Sequence, residues 1–168
     1  MKNIILIGMK GCGKTTVGKL LSKALGKRFI ELDAEMVSLH AAKTGERLSC
    51  RDIFRTHGES YFRDVETEAL QTVASQRNVV LSCGGGTPLS KNNQMVLRTM
   101  GTIIFLDTHP NVLLSRIMKG GVPVFFSDKN NPEKSLNTLL AKRNPIYEKL
   151  AQIRIVVTRE SPAKIVAR

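Results

Sequence analysis

A glycine-rich segment near the N-terminus has the residue types that bind a nucleotide. Residues 8–15 read GMKGCGKT and match the pattern G-x-x-x-x-G-K-[ST] at every fixed position. Glycines let backbone N–H groups turn inward around a phosphate, and a helix N-terminus adds partial positive charge. Lys14 would contact the β- and γ-phosphates, and the Thr15 hydroxyl would bind Mg²⁺. The predicted nucleotide contacts of this loop are Gly11, Cys12, Gly13, Lys14, Thr15 and Thr16.

Two further segments place oxygen-bearing or glycine residues directly after an apolar run. Glu31 and Asp33 follow Phe29 and Ile30, and a carboxylate there could orient a hydroxyl nucleophile and accept its proton. Ser82 precedes three glycines at 84–86, where the missing Cβ atoms would let the backbone approach a ligand closely. Taken alone, Asp33 could equally be a helix N-cap, and the glycines could form an ordinary turn.

Two arginines could bind a carboxylate through the planar fork of the guanidinium. Arg63 is followed three residues later by Glu66, and Arg143 lies in the segment AKRNPIY. Without further context, Arg63 and Glu66 could be a surface ion pair that contributes little, and Arg143 could face solvent.

The apolar pattern predicts the elements that position these groups. Short β-branched runs alternate with segments of helical periodicity, which favours a parallel sheet covered on both faces. The predicted strands are Ile4–Ile7, Arg28–Leu32, Val79–Leu81, Thr102–Leu106 and Ile153–Val157. The predicted helices are Lys14–Leu25, Ser49–Thr56, Glu59–Ser75, Lys91–Met100, Asn111–Met118, Ser135–Leu150 and a short one from Pro162. We therefore predict one α/β domain over residues 1–168, with a five-stranded parallel sheet between two helical layers.

Residues 119–134 interrupt this alternation with two glycines, two prolines and two asparagines. That composition predicts a long surface loop, and loops of such length in a compact domain are usually functional, often lids.

The combined motifs resemble those of shikimate kinases, small P-loop enzymes, over nearly the whole chain from Ile4 to the segment Thr158–Pro162. The resemblance implies the P-loop NTPase fold and transfer of the ATP γ-phosphate to the 3-hydroxyl of shikimate, a step of aromatic amino acid biosynthesis. It implies ATP and Mg²⁺ as cofactors, shikimate as small-molecule partner, and an acceptor-binding region at about residues 33–62.

The same resemblance assigns roles to individual residues. Lys14 and Asp33 would be catalytic, and the acceptor contacts would be Asp33, Arg63, Gly85, Gly86 and Arg143. Arg116 and Pro162 would sandwich the adenine. Glu31 and Ser82 would hold Mg²⁺ through water, although the family has aspartate where this chain has Glu31.

The lid departs from the family pattern. Shikimate kinases usually carry Arg-Pro early in this loop, and this chain has Val122-Pro123. Loss of an arginine that stabilises transition-state charge can cost on the order of 10³-fold in phosphoryl transfer. Lys119, Lys129 or Lys134 could supply a point charge instead. A weakly active or non-catalytic nucleotide-binding homologue therefore stays an alternative, as does another small-molecule kinase, for example one for gluconate.

Charge supplies one more alternative. The chain has 26 Lys and Arg against 14 Asp and Glu, and its formal net charge of +12 suggests anionic partners such as nucleic acid. An acidic block at residues 31–68 and an aromatic content of 5% speak against single-strand binding. We expect no nucleic-acid partner, no membrane association and a monomer. The three widely spaced cysteines predict free thiols in a reducing cytoplasm.

Overall fold

The computed structural model describes residues 2–123 and 125–167, and its five strands form one sheet in the order β2-β3-β1-β4-β5. The strands are β1 Asn3–Ile7, β2 Arg28–Glu31, β3 Val79–Ser82, β4 Gly101–Thr108 and β5 Ile153–Val157. All four strand pairings are parallel. The prediction of a five-stranded parallel sheet is confirmed.

Seven helices accompany the sheet among the described residues. They are α1 Lys14–Ala24, α2 Leu32–Thr44, α3 Cys50–Ala74, α4 Lys91–Met100, α5 Pro110–Met118, α6 Pro132–Leu150 and α7 Pro162–Val166. A single 3₁₀ turn covers Thr87–Leu89. None of these helices is both long and apolar enough to cross a membrane.

Helix α2 was missed by the sequence prediction, for two physical reasons. It begins at Leu32 directly after β2, with no turn residue between strand and helix. Its buried positions are Leu32, Met36 and His40, so a polar imidazole occupies the third place of a narrow apolar stripe. The other apolar residues of the helix, among them Val37 and Leu39, lie off this stripe, so helical periodicity does not stand out.

Helix α3 joins two segments that the sequence predicted as separate helices. Gly58 interrupts it with φ of 81° and ψ of 175°, a conformation that residues other than glycine rarely adopt. Helix α6 begins at Pro132 instead of Ser135, because the Asn131 side chain accepts a hydrogen bond from the Lys134 N–H and caps the first turn. The loop before α6 therefore spans residues 119–131, and Val124 within it lies outside the described residues.

Alternate residues of β1 divide between two hydrophobic clusters. Ile5 and Ile7 pack with residues of α3 and α4, whereas Leu6 packs with residues of α1 and α5. This alternation is the one expected of a strand covered on both faces. The three-layer α/β/α arrangement is thus confirmed, and all three cysteines are free thiols, as predicted.

The topology brings the carboxyl ends of three strands together. Glu31 at the end of β2 is in register with Ser82 at the end of β3, and Ser82 pairs with Leu6 of β1. The loop after β1 therefore lies beside the last residues of β2 and β3. This edge is where open α/β sheets place their ligands.

Candidate active site

The phosphate loop connects β1 to α1 and depends on three glycines. Gly8, Gly11 and Gly13 have φ values of 142°, 85° and 102°, where side chains with a Cβ are strained. Lys14 is 8% exposed, and its ammonium group donates hydrogen bonds to the carbonyl oxygens of Gly8 and Met9 at 2.9 and 3.0 Å. The lysine therefore lies across the loop, which concentrates positive charge at the N-terminus of α1.

Three oxygen-bearing side chains meet next to this loop. Thr15 Oγ1 donates to Glu31 Oε1 at 2.7 Å, and Ser82 Oγ donates to the same oxygen at 3.2 Å. One carboxylate with two hydroxyls is a hard oxygen donor set, which suits Mg²⁺ with water completing its shell. The three residues predicted to act on the metal thus lie together, and the longer Glu31 side chain reaches both hydroxyls.

Asp33 lies in the first turn of α2 and faces two adjoining cavities. Burial of its carboxyl group by the cleft walls raises its pKa above the ordinary value of 3.8, and the charge of Glu31 raises it further. The ammonium groups of Lys14 and Lys10 act in the opposite direction. The carboxylate is therefore a better proton acceptor than an exposed aspartate.

The larger cavity is a cleft of about 600 Å³ along the phosphate loop. Its far wall contains Arg116, Glu160, Pro162 and Ile165. Arg116 donates from Nη1 to the Gly11 carbonyl oxygen at 3.2 Å, so its guanidinium group lies against the loop. The two residues predicted to flank the adenine, Arg116 and Pro162, line this one cleft.

The smaller cavity, about 160 Å³, is hereafter the acceptor pocket. Its walls are Lys10, Asp33, Cys50, Arg51, Phe54, Phe62, Arg63, Glu66, Gly84, Gly85, Gly86, Pro123, Phe125 and Arg143. Every predicted acceptor contact is in this set. Asp33 belongs to both cavities, so an acceptor in the pocket would lie beside a nucleotide in the cleft.

Arg63 is held by a buried carboxylate. Its Nη1 lies 2.9 Å from Glu66 Oε2, and the Glu66 side chain is only 2% exposed. The second oxygen of Glu66 accepts a hydrogen bond of 2.8 Å from Thr87 Oγ1. Glu66 therefore has a partner at each oxygen and fixes the orientation of Arg63, unlike the surface ion pair considered from the sequence alone.

Helix α6 supplies the second arginine together with a residue whose role the sequence did not reveal. Arg143 Nη1 lies 3.5 Å from Met9 Sδ, and Tyr147, one helical turn later, donates its hydroxyl to the Gly85 carbonyl oxygen at 2.5 Å. Tyr147 is fully buried, which raises its pKa to about 12 and keeps the hydroxyl protonated. Tyr147 thus anchors the triple-glycine turn. The sequence signal for Tyr147 was its position four residues after Arg143, which places both side chains on one face of a helix.

The lysines expected to replace the lid arginine are placed elsewhere. Lys119, Lys129 and Lys134 line neither cavity in the described part of the chain, and Val122 is 37% exposed. Two other basic residues line the acceptor pocket besides Arg63 and Arg143. Lys10 borders both cavities, with Nζ 5.9 Å from the centre of the Phe125 ring. Arg51 donates to the Gly120 carbonyl oxygen at 3.5 Å and so contacts the lid.

The family model and two curated relatives name the same family. The shikimate kinase family model matches residues 10–168. The shikimate kinase of Persephonella marina is 39% identical over 166 residues, covering 99% of this chain and 95% of that protein. The shikimate kinase of Alkaliphilus oremlandii is 34% identical over 168 residues, with 99% and 95% covered.

Solved structures agree with these matches. The shikimate kinase from Acinetobacter baumannii in complex with shikimate is similar with a TM-score of 0.89 and 32% identity, covering 99% of this chain and 89% of that one. The shikimate kinase from Bacteroides thetaiotaomicron gives a TM-score of 0.82 at 31% identity, with 99% and 95% covered.

Proposed function

This chain belongs to the shikimate kinase family, and we propose on that premise that it transfers the γ-phosphate of ATP to the 3-hydroxyl of shikimate. The observation that carries the proposal is the acceptor pocket, where Arg63 and Arg143 lie on the same small cavity as Asp33. Two guanidinium groups can bind the carboxylate of an acceptor, and Asp33 can accept a hydrogen bond from an acceptor hydroxyl that lies next to the nucleotide.

The nucleotide contacts follow from the phosphate loop. Residues 11–16 surround the ATP phosphates, with Lys14 neutralising the β- and γ-phosphates. The adenine lies between Arg116 and Pro162, because a guanidinium plane stacks well on an aromatic base. The Thr15 hydroxyl would hold Mg²⁺ directly and Glu31 and Ser82 would hold it through water, and the ion would neutralise charge on the phosphate oxygens.

The acceptor is held at two ends. Arg63 and Arg143 grip the shikimate carboxylate, and the backbone N–H groups of Gly85 and Gly86 lie beside the ring. Asp33 accepts a hydrogen bond from the 3-hydroxyl and takes its proton as the new O–P bond forms and the bond from the γ-phosphorus to ADP breaks. Lys14 and Asp33 are therefore the catalytic side chains of the proposal.

Lys10 supplies the positive charge that the lid position lacks. It borders both the nucleotide cleft and the acceptor pocket, and its ammonium group faces the ring of Phe125 in the lid. A lysine between donor and acceptor can stabilise charge on the transferring phosphoryl group as a point charge, although without the fork of an arginine. The lid at residues 119–131 would close over this group and exclude water.

The whole chain would act as one domain, with the acceptor-binding region at about residues 33–62. We further propose that the protein is a cytoplasmic monomer that binds neither membranes nor nucleic acid. Part of the positive charge then serves anionic ligands, since Lys10, Lys14, Arg63 and Arg143 all line the two cavities. A labelled DNA or RNA fragment should not shift with the protein at physiological salt, where non-specific charge binding is mostly lost.

An ADP-release assay tests the proposal directly. Shikimate should stimulate ADP formation from MgATP, while nucleosides should not, because they lack the carboxylate that the two arginines would bind. Gluconate carries a carboxylate and is the discriminating competitor. If ATP binds but shikimate produces no ADP, the kinase proposal fails for this chain, and if gluconate is turned over more efficiently than shikimate, the substrate assignment fails.

A further inference from the structure

A cluster of side chains outside both cavities joins the end of α2 to the kink of α3. It consists of His40 in α2, Glu46 in the connecting segment, and His57 directly before the break at Gly58. His57 Nε2 lies 2.9 Å from Glu46 Oε2, and His40 Nε2 lies 3.3 Å from the same oxygen. We refer to these three residues as the two-histidine cluster.

The spacing of the cluster matches the ligands of a small metal ion. Zn²⁺ binds imidazole nitrogen and carboxylate oxygen at roughly 2.0–2.2 Å in a tetrahedron, which places neighbouring ligand atoms about 3.3 Å apart. Both measured nitrogen–oxygen distances are close to that value, and the three ligand atoms lie within 4.8 Å of one another. The two nitrogens are at most 4.8 Å apart, and the partly exposed His57 side chain would adjust so that both contact one ion.

His40 also has the second hydrogen bond that metal-binding histidines usually have. Its Nδ1 lies 2.8 Å from the Tyr61 hydroxyl oxygen, and the imidazole is fully buried. When Nδ1–H donates to Tyr61, Nε2 carries a lone pair on the side of the ring where Glu46 Oε2 lies at 3.3 Å and Thr44 Oγ1 at 3.4 Å. The buried ring is thus fixed in orientation before any ion arrives.

Glu46 provides both charge and access. Its Oε2 lies 2.9 Å from His57 Nε2, so Glu46 brings a carboxylate oxygen to the two imidazoles. Its side chain is 48% exposed, which leaves a path for an ion and room for a water ligand. The cluster therefore has two nitrogens, one anionic oxygen and an open fourth position.

We propose that His40, Glu46 and His57 form a binding site for a borderline divalent transition-metal ion such as Zn²⁺, which ties α2 to α3. Imidazoles with one carboxylate select this class of ion, whereas Mg²⁺ prefers oxygen ligands alone. The site is thus separate from the oxygen cluster at Thr15, Glu31 and Ser82. An ion that binds only the folded chain stabilises it, and here it would hold the Gly58 kink.

The experiment uses the full chain without a polyhistidine tag, stripped with a chelator. Titration calorimetry with Zn²⁺ should show one ion per chain, and the Tm should rise by several degrees at saturating Zn²⁺. Glu46→Gln and His57→Asn each remove one exposed or partly exposed ligand and should weaken binding about 10-fold or more. Both substituted positions are in contact with solvent, so these two variants should fold even if His40→Asn, at a buried position, does not.

His109 offers the matched control. It is the third histidine of the chain, is exposed, and accepts a hydrogen bond from the Asn111 N–H at the N-cap of α5. His109→Asn keeps a good cap and should leave Zn²⁺ affinity unchanged. Bound Co²⁺ should show the visible bands of a tetrahedral ion without the near-ultraviolet band of a thiolate ligand.

Three results would overturn the proposal. They are absence of one-to-one Zn²⁺ binding by the wild-type chain, full affinity in both Glu46→Gln and His57→Asn, and a thiolate band with Co²⁺. None of them depends on phosphoryl transfer, because every readout is metal binding or thermal stability.

Discussion

The guanidinium group of Arg63 occupies the space that a Cβ atom on Gly86 would need. Such an atom would lie 2.7 Å from Nη2 and 2.8 Å from Cζ of Arg63, well inside van der Waals contact. Glu66 holds the same guanidinium from the other side at 2.9 Å. The last glycine of the triple-glycine turn therefore fixes where the arginine can lie, in addition to keeping the backbone open to a ligand.

Gly86→Ala should damage acceptor binding selectively. Displacement of Arg63 costs charge-assisted hydrogen bonds to the shikimate carboxylate worth about 1.5–3 kcal/mol, so the KM for shikimate should rise roughly 10- to 100-fold. The KM for ATP should stay unchanged, as steady-state kinetics with both substrates varied would show. Gly120→Ala is the matched control, because its Cβ would meet only the Ile117 carbonyl oxygen at 3.7 Å. An equal rise in both KM values would contradict the prediction.

Glu31→Gln should raise the Mg²⁺ requirement. The substitution keeps the side-chain length but removes the charge that receives hydrogen bonds from Thr15 and Ser82. We expect the free Mg²⁺ concentration for half-maximal activity to rise about 10-fold, while Glu31→Asp, which restores the acid found in the family, changes it less. Glu35→Gln, four residues later in the first turn of α2 and outside both cavities, is the control. Equal Mg²⁺ requirements in all variants would exclude Glu31 from the metal site.

The phosphate loop and the pair Glu31 and Ser82 differ in how far the sequence alone predicts them. The phosphate loop is a contiguous motif, so its glycines and Lys14 were identified from spacing alone. Glu31 and Ser82 are 51 residues apart, yet each is the last residue of its strand, and parallel strands bring such ends to one edge. Their shared role at a metal ion was predicted from the resemblance to shikimate kinases, because the sequence alone does not show which strands are neighbours.

Contacts that depend on packing between distant elements were not predictable in this way. Tyr147 reaches Gly85 across 62 residues only because α6 lies beside the turn after β3. The position of Lys10 near the Phe125 ring depends on how the lid folds back over the loop, which the sequence does not show. The lysines proposed from the sequence are close to Val122 in the chain, but they line neither cavity.

The carboxyl group of Asp33 should titrate above its ordinary pKa. Burial raises the pKa and Glu31 adds to the effect, whereas Lys14 and Lys10 oppose it. In the nucleotide-free protein, Lys10→Ala should move the pKa further up and Glu31→Gln should move it down. Carboxyl-carbon NMR titration measures this directly. As the pH falls through this pKa, the Asp33 carboxylate becomes protonated. It can then no longer accept the proton of the acceptor hydroxyl, so activity should be lost at acid pH. Shifts of the opposite sign would contradict the arrangement.

Lys10→Ala should lower kcat by a larger factor than it weakens the binding of either substrate. A point charge that acts on the transferring phosphoryl group contributes mainly in the transition state, so we expect a loss on the order of 10²-fold or more in kcat. Lys119→Ala removes a lysine of the lid that lines neither cavity and should leave kcat unchanged. A comparable loss in both variants would mean that general charge, and not the position of Lys10, matters.

Val122→Arg should increase turnover, and most strongly when Lys10 is absent. Val122 is 37% exposed and precedes Pro123, which lines the acceptor pocket, so a long side chain there can reach the phosphoryl group as the lid closes. An arginine adds the planar fork that a lysine lacks. We expect a modest rise in kcat in the wild-type background and a larger, partly restoring rise with Lys10→Ala, measured by ADP release at saturating substrates. Val122→Gln, which is long but uncharged, should restore nothing. If Val122→Arg has no effect in either background, the charge that stabilises transfer is supplied by neither position, and Arg51 becomes the residue to substitute.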